Sequence, residues 1–307
     1  MRLAVTGASG FIGGRLMEEL AGKNAEVVGI CRSRYTKGNV LDRSYLREVL
    51  RDVDLVYHCA AVLGGGHKKK EYEVNTRGTE NVIEIAVENR VKRLVHLSSL
   101  AVLGEYSDHQ GDSEESPYAT RWKDPYTPSK IEAEKIVLMR RKEIEAYIVR
   151  PGWVWGPGDE ASRMMLEMIS SGKFRFIGNG SNLTYFTYID NLLSVLLRLG
   201  EVDDVVSGEV FNITDGYRLS LKEYVDTVCQ VLGKEPVRKS VPVPIAEILA
   251  WFTDVLLRDP HATRQNVAIM SHDLHFSVEK AKTLLGYDPD TDLEVQIKET
   301  ARHFKIL

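Results

Sequence analysis

The chain has 307 residues, 43% of them hydrophobic and 27% charged, with a net charge of −4 and a pI near 6.1. Those values suit a globular protein of one large domain or two lobes and argue against nucleic acid as the main partner. Three cysteines, Cys31, Cys59 and Cys229, show neither metal-ligand spacing nor a disulfide framework, so no metal is expected and a reducing cytoplasm is the expected location.

Arg2–Thr6 (RLAVT) is a short apolar run and reads as a buried strand. It runs directly into Gly7-Ala8-Ser9-Gly10-Phe11-Ile12-Gly13, so no signal peptide is expected. Phe11, Ile12, Leu16 and Leu20 then follow a helical stripe. Strand, glycine turn and helix present backbone N–H groups and a helix N-terminus to a phosphate. Gly7 suits the tight turn, Gly10 a close backbone approach, and Gly13 helix–strand packing. A ligand-free turn between strand and helix is the plainer reading of the same residues. Glu26–Cys31 is the second strand. A dinucleotide fold often ends this strand in a carboxylate for the ribose 2′-OH. Here Cys31, Arg32, Ser33 and Arg34 follow instead, which favours a 2′-phosphate and therefore NADP(H) over NAD(H).

Asp42 is placed to cap a helix through Leu50. Asp54–His58 is the third strand, and the small residues Cys59, Ala60 and Ala61 let a cofactor lie against its end. The loop 62–67 contains Gly64 to Gly66 and His67, the latter read as a solvated bystander. A helix over 70–89 turns Val74, Val82, Ile85 and Ala86 inward and carries Asn75 as a possible brace. Arg93–Leu97 is the fourth strand, with Ser98 and Ser99 at its C-terminal end. Residues 104–124 are polar and read as a long loop.

Tyr126 and Lys130 lie four residues apart, just ahead of a helical pattern over 131–141. That spacing puts both side chains on one helical face. An ammonium beside a phenol lowers the phenol's pKa toward the range useful for proton transfer. Ala146–Val149 is the fifth strand. The alternation so far describes a doubly wound parallel α/β sheet.

Beyond Arg150 the pattern changes. Trp153, Trp155, Pro157 and Gly158 make an aromatic turn, and a Met-rich helix over 160–171 follows. The segments 185–189 and 209–213 are strand-like, with Asp190 capping a helix over 191–200 between them. Ser220 and Glu223 form a capping box for a helix to Leu232, stopped by Gly233. Residues 241–257 read as an amphipathic helix, interrupted by Glu247 and Asp254 and too short for a transmembrane span. Short helices over 277–285 and 291–305 follow, the second with Thr291 and Glu294 as a capping box.

TGASGFIG (6–13), DLVYHCAA (54–61), VNTRGTENV (74–82), LVHLSS (94–99), PYTPSK (125–130), VRPGWVWGPGD (149–159) and TYID (187–190) stand in an order that resembles the extended short-chain dehydrogenases/reductases. This family includes NAD(P)-dependent epimerases and dehydratases. The resemblance implies a Rossmann-type sheet over 1–154 and a smaller, mainly helical substrate lobe over 155–307, with about 186–214 returning to the sheet. It implies Tyr126 as acid/base, Lys130 as its electrostatic partner, Ser99 as the group on the reacting oxygen, and Asn75 as support for the lysine. For the cofactor it implies Gly7, Gly10, Phe11, Ile12, Gly13, Asn39, Val40, Ala60, Ala61, Tyr126, Lys130, Pro151, Gly152 and Val154, with Arg32 toward an NADP phosphate. Ser99, Tyr126 and Trp153 would meet substrate. A homodimer is implied by family analogy.

Nucleotide-sugar members usually carry Asn at position 153 and Arg at 184, where this chain has Trp153 and Thr184. The segments VPVPIAEILAWFTDVL and HFSVEKAKTLLGYDP are similar to the 3β-hydroxysteroid dehydrogenase and dihydroflavonol reductase branch. The expectation is therefore an NADP(H)-linked oxidoreductase acting on the alcohol or ketone of a hydrophobic or polycyclic small molecule. A nucleotide-sugar epimerase or dehydratase with retained NAD(P) is the alternative, and a non-catalytic NADP-sensing protein the third.

Overall fold

A computed structural model describes residues 1–23, 25–32, 36–63, 68–252 and 263–307. The first half alternates β1 (Arg2–Thr6), α1 (Phe11–Ala21), β2 (Glu26–Cys31), β3 (Thr36–Lys37), α2 (Arg43–Val49), β4 (Leu55–His58), α3 (Lys68–Glu88) and β5 (Arg93–Leu97). A 3-10 turn at Leu100–Leu103 leads to β6 (His109–Asp112), α4 (Tyr126–Met139), β7 (Glu145–Pro151) and β8 (Trp153–Trp155). The second half contains α5 (Glu160–Ser170), β9 (Phe176–Ile177), β10 (Phe186–Tyr188), α6 (Ile189–Glu201), β11 (Val210–Ile213), α7 (Leu221–Val231), β12 (Ser240–Val241), α8 (Val243–Phe252), α9 (Arg264–Ile269), β13 (Leu274–Phe276), α10 (Glu279–Leu285) and α11 (Leu293–His303).

Seven strands form one parallel sheet in the order β3-β2-β1-β4-β5-β7-β11. Both faces are buried, so adjacent strand residues enter different cores. Leu3 and Val5 pack with Leu16, Leu196 and Phe211 on one face. Ala4 packs with Val56, Ile83, Ile85 and Val137 on the other. The order reverses between β1 and β4, the switch point at whose C-terminal edge this fold binds ligands. The strand-end segments that the sequence marked, Gly7–Gly13, Cys59–Ala61 and Ser98–Ser99, all follow strands at that edge.

Four local expectations change. The helix carrying Tyr126 begins at Tyr126 itself, five residues earlier than its apolar pattern. Pro125 and Pro128 fit because the first helical turn has no intrahelical use for their missing N–H groups. The Asp124 carboxylate also accepts the Thr127 N–H at 2.7 Å. The segment 104–124 is not all loop, since β6 pairs in parallel with β13 from the far end of the chain. Asp190 lies inside the first turn of α6 rather than capping it. At α11 the cap is Asp292, not Thr291, and its side chain accepts the Val295 N–H at 3.1 Å. Of the helix expected over 241–257, α8 covers 243–252; residues 253–257 lie outside the described residues, as do Ser33, Arg34, Gly64–Gly66 and His67.

Candidate active site

The site is built at the sheet's C-terminal edge. Gly7 has φ +72°, and a Cβ there would stand 2.8 Å from the Ala60 backbone nitrogen. A Cβ on Gly13 would stand 2.3 Å from the Gly7 carbonyl oxygen. These contacts pull the start of α1 against the strand ends. The α1 N-terminus has Gly10 as its cap, no side-chain cap bond and no acidic residue in its first turn. Its free N–H groups and dipole therefore fit an anionic diphosphate. Phe11 begins the helix, with its ring packed beside Gly158 of the aromatic turn.

A chain of hydrogen bonds braces the neighbouring strand end. The Ala60 N–H donates to Thr6 Oγ1 at 3.1 Å, and Thr6 Oγ1 lies 2.7 Å from His58 Nδ1. His58 Nε2 lies 2.9 Å from Thr79 Oγ1, whose hydroxyl donates to the Asn75 carbonyl at 2.7 Å. With the Thr79 proton committed to Asn75, His58 donates from Nε2 and accepts at Nδ1. Burial drives the His58 pKa down to about 3, so this ring stays neutral. It is a fully used structural histidine, holding Ala60 and Asn75 in register.

Asn75 holds the other side of the same edge. Its amide accepts the Val62 N–H at 2.8 Å and donates to the Val62 carbonyl and to Ser129 Oγ, both at 3.0 Å. Ser129 in turn donates to the Tyr126 carbonyl at 2.7 Å. Asn75 thus reaches α4 through Ser129, the neighbour of Lys130, and not through the lysine itself.

Ser99, Tyr126 and Lys130 converge. The Ser99 hydroxyl accepts the Ala101 N–H at 3.2 Å and lies near enough to the Tyr126 phenol to pull its pKa downward. The Lys130 ammonium lies 5.8 Å from the centre of the Tyr126 ring and donates to the Leu97 carbonyl at 2.7 Å. Burial lowers the Lys130 pKa to about 8, with Cys59 and Glu134 opposing the shift, so the amine is still largely cationic at neutral pH. The expected depression of Tyr126 by Lys130 is overturned. Burial pushes the phenol well above its usual range; Ser99 offsets part of this, while Glu105, Glu71 and Asp124 add to it. Desolvation is the largest contribution, and the Lys130 ammonium is engaged by the Leu97 carbonyl.

The remaining expected positions surround this centre. Pro151 ends β7 and Gly152 links it to β8, where the Trp153 N–H donates to the Tyr185 carbonyl at 3.0 Å and Val154 pairs with Thr187. Ala61 follows Ala60 on the β4 end. Val40 is buried, and its carbonyl accepts from Asn81 at 3.1 Å. Asn39 is exposed and accepts the Leu41 N–H at 3.1 Å. Arg32 is exposed one residue beyond β2.

Two groups escaped the sequence reading. Glu134 lies buried on α4, where Arg150 donates to both carboxylate oxygens at 2.9 and 2.7 Å. Ser98 and Tyr118 donate to the same carboxylate at 2.5 and 2.8 Å. This cluster joins α4, the β5 end and β7. Glu105 is also buried, accepting from the Tyr185 hydroxyl at 2.5 Å and from the Gln265 amide at 2.8 Å. No local pattern marked either one, since their partners are 16 to 160 residues away.

Burial raises the Glu105 carboxyl from 4.5 to about 7, with Tyr185 and Gln265 opposing. A carboxyl with a raised folded pKa keeps its proton in the folded state while the unfolded chain has lost it. Stability is therefore full below about pH 4.5 and is lost as pH rises through about 7. Asp215, raised by burial to about 6, acts in the same direction. Urea unfolding between pH 5 and 8 is expected to show this decline. Glu105→Gln should flatten it by roughly 1–3 kcal/mol. Equal slopes for both proteins would refute the assignment.

A small apolar cavity of about 10 Å³ is walled by Trp153, Thr184 and Tyr185, by Met165 of α5, and by Ile269 and Met270 at the end of α9. That volume holds about one water.

The fold and site define an NAD(P)-dependent enzyme with a Rossmann-like sheet. Residues 3–214 match the NAD dependent epimerase/dehydratase family, and the chain belongs to it. It is 29% identical to the human (Homo sapiens) sterol-4-alpha-carboxylate 3-dehydrogenase, decarboxylating, over 100% of this chain and 89% of the relative. It is 27% identical to the 4-hydroxy-2-methyl-3-oxo-4-farnesyl-3,4-dihydroquinoline-1-oxide ketoreductase of Stigmatella aurantiaca, over 94% and 92% of the two chains. Among solved structures, the UDP-glucuronic acid 4-epimerase from Bacillus cereus in complex with NAD superposes with a TM-score of 0.80 at 23% identity, covering 99% of each chain. Among the described residues, no helix is long and apolar enough to cross a membrane.

Proposed function

We propose that this enzyme interconverts a secondary alcohol and a ketone on a hydrophobic or polycyclic small molecule, and prefers NADP(H) to NAD(H). The observation that carries the substrate class is the apolar wall of Trp153, Met165, Ile269 and Met270, meeting Tyr185, which shares a core cluster with Leu100, the neighbour of Ser99, and Ile131 of α4, the helix of Tyr126. The relatives named as a sterol dehydrogenase and a ketoreductase support the same chemistry. The cavity as it stands is smaller than such a substrate.

The α1 N-terminus and the Gly7–Gly13 loop would hold the cofactor diphosphate, with Ala60, Ala61, Pro151, Gly152 and Val154 along its length and Asn39 and Val40 toward adenine. Bound NAD(P)(H) supplies or accepts the hydride. In the reducing direction, Tyr126 donates its phenolic proton to the ketone oxygen, and burial keeps that proton in place beforehand. Ser99 hydrogen-bonds the same oxygen and orients it. Lys130 would offset the phenolate charge that remains and would help hold the nicotinamide ribose. Asn75 keeps α4 and the Val62 loop in place.

The NADP preference rests on Arg32 and on the lack of a carboxylate at the end of β2. Arg32→Ala is expected to weaken NADPH binding about ten-fold, leaving NADH binding unchanged. An unchanged NADPH affinity would remove the preference. The reaction itself is tested by nicotinamide absorbance with a panel of apolar secondary alcohols and ketones. Failure to turn over any of them, together with a UDP- or dTDP-sugar that perturbs a retained cofactor, would replace this reading with a nucleotide-sugar epimerase or dehydratase.

A further inference from the structure

The helix α8 is packed the wrong way round for a water-facing surface. Its buried positions are the small residues Ala246 and Ala250. Its large apolar residues face outward: Ile245, Ile248, Leu249, Trp251 and Phe252 are each about half exposed, from 48% to 58%. Positions 245, 248, 249 and 252 follow the i, i+3, i+4, i+7 stripe that a helix of a soluble protein buries. The other large exposed apolar residues lie mostly apart along the chain, so this cluster stands out from ordinary surface scatter.

The surroundings indicate what covers it. Lys123 lies 3.9 Å from Glu247, which sets the exposed residues Arg121, Trp122 and Lys123 beside the helix. Arg238 and Lys239, also exposed, lead directly into the strand that precedes it. The only acidic residue on α8, Glu247, is the one paired with Lys123. The protein has a net charge of −4, yet the segments beside α8 and leading into it carry four exposed cations, Arg121, Lys123, Arg238 and Lys239, together with Trp122. Apolar residues, interfacial aromatics and a basic rim are what a helix lying in a membrane surface requires.

We propose that α8, with Trp122 and the rim of Arg121, Lys123, Arg238 and Lys239, docks in the plane of an anionic lipid bilayer surface. A second copy of the chain fits less well. A ten-residue helix face measures ~15 Å by ~10 Å, far below the roughly 800 Å² per partner of a stable interface. The docking also reaches the cavity. Ala246 and Ala250 pack on Val267 of α9, and Ile269 and Met270 at the end of α9 wall the cavity. If the proposed substrate class is right, an apolar substrate would pass from the lipid to the site along this wall. Lipid binding itself does not depend on that reading.

Co-sedimentation of the full-length protein with phosphatidylcholine vesicles, with and without phosphatidylglycerol, tests the proposal. Binding is expected on the phosphatidylglycerol vesicles and should weaken with added salt. Ile248→Glu with Leu249→Glu should reduce it at least about ten-fold, as should Arg238→Glu with Lys239→Glu. Circular dichroism and cofactor affinity should be unchanged in both variants, which keeps loss of binding separate from loss of fold. No binding to either vesicle overturns the proposal, as does binding that both variants retain. Equal binding to neutral and anionic vesicles overturns the anionic assignment. A dimer seen by light scattering, dissolved by the Ile248 and Leu249 changes in the absence of vesicle binding, would assign the face to a second copy instead.

Discussion

Tyr126→Phe is expected to lower kcat by about 10²- to 10⁴-fold, the range for loss of a positioned proton donor. The ring remains to fill its buried place, so folding and NAD(P)(H) affinity should stay within a few-fold of the parent. The loss should appear in kcat and kcat/KM together, because the missing proton transfer matters only in the transition state. Ser99→Ala should cost less, since it removes one orienting hydrogen bond and leaves the phenol in place. Turnover at the parental rate in Tyr126→Phe would dismiss the phenol as the acid. If the parent protein itself turned nothing over, the non-catalytic NADP-sensing reading would stand instead.

Arg150→Met is expected to cost about 3–5 kcal/mol of stability, the scale for stranding one member of a buried ion pair. Glu134 is fully buried, and Arg150 supplies two of its hydrogen bonds. Ser98 and Tyr118 remain as donors in the variant, but neither carries charge. The pair also sets the site's geometry: Ser98 adjoins Ser99, and Glu134 sits one helical turn beyond Lys130. Activity measured well below the melting temperature should therefore fall as well. Replacing both residues, as Glu134→Leu with Arg150→Met, should destabilise less than Arg150→Met alone, because no charge is then left unpaired. Urea unfolding of the three proteins decides this. A loss under about 1 kcal/mol for Arg150→Met would mean that Glu134 takes up a proton or reaches water in the variant.

Much of the fold was legible because its signals are local. Arg2–Thr6, Glu26–Cys31 and Arg93–Leu97 have the bounds that their apolar runs imply. The capping box at Ser220 and Glu223 forms as its spacing requires. Signals went astray where the deciding partner was distant or where neighbours competed. His109–Asp112 is polar and reads as loop, yet it becomes a strand because Leu274–Phe276 offers it an edge. Thr291 and Asp292 both suit an N-cap, and the backbone placed Asp292 there. At Tyr126 the apolar stripe starts late, so the pattern misses the first turn although the Asp124 carboxylate already secures it.

Local sequence is enough to set the strand–helix alternation, the glycine loop, Ser99 just past the end of a strand, and Tyr126 and Lys130 in the first turns of a helix. These depend on period, turn chemistry and spacing, which act over a few residues. Only the tertiary structure decided the electrostatics. Burial, which no spacing encodes, raised the Tyr126 phenol and the Glu105 carboxyl and lowered the Lys130 amine. It also decided which face of α8 meets the protein: the stripe over 243–252 marks an apolar helix, but only packing on α9 turned the alanines inward and left the large side chains exposed. Desolvation and facing depend on what packs around a residue from elsewhere in the chain, so neither is written in its immediate neighbours.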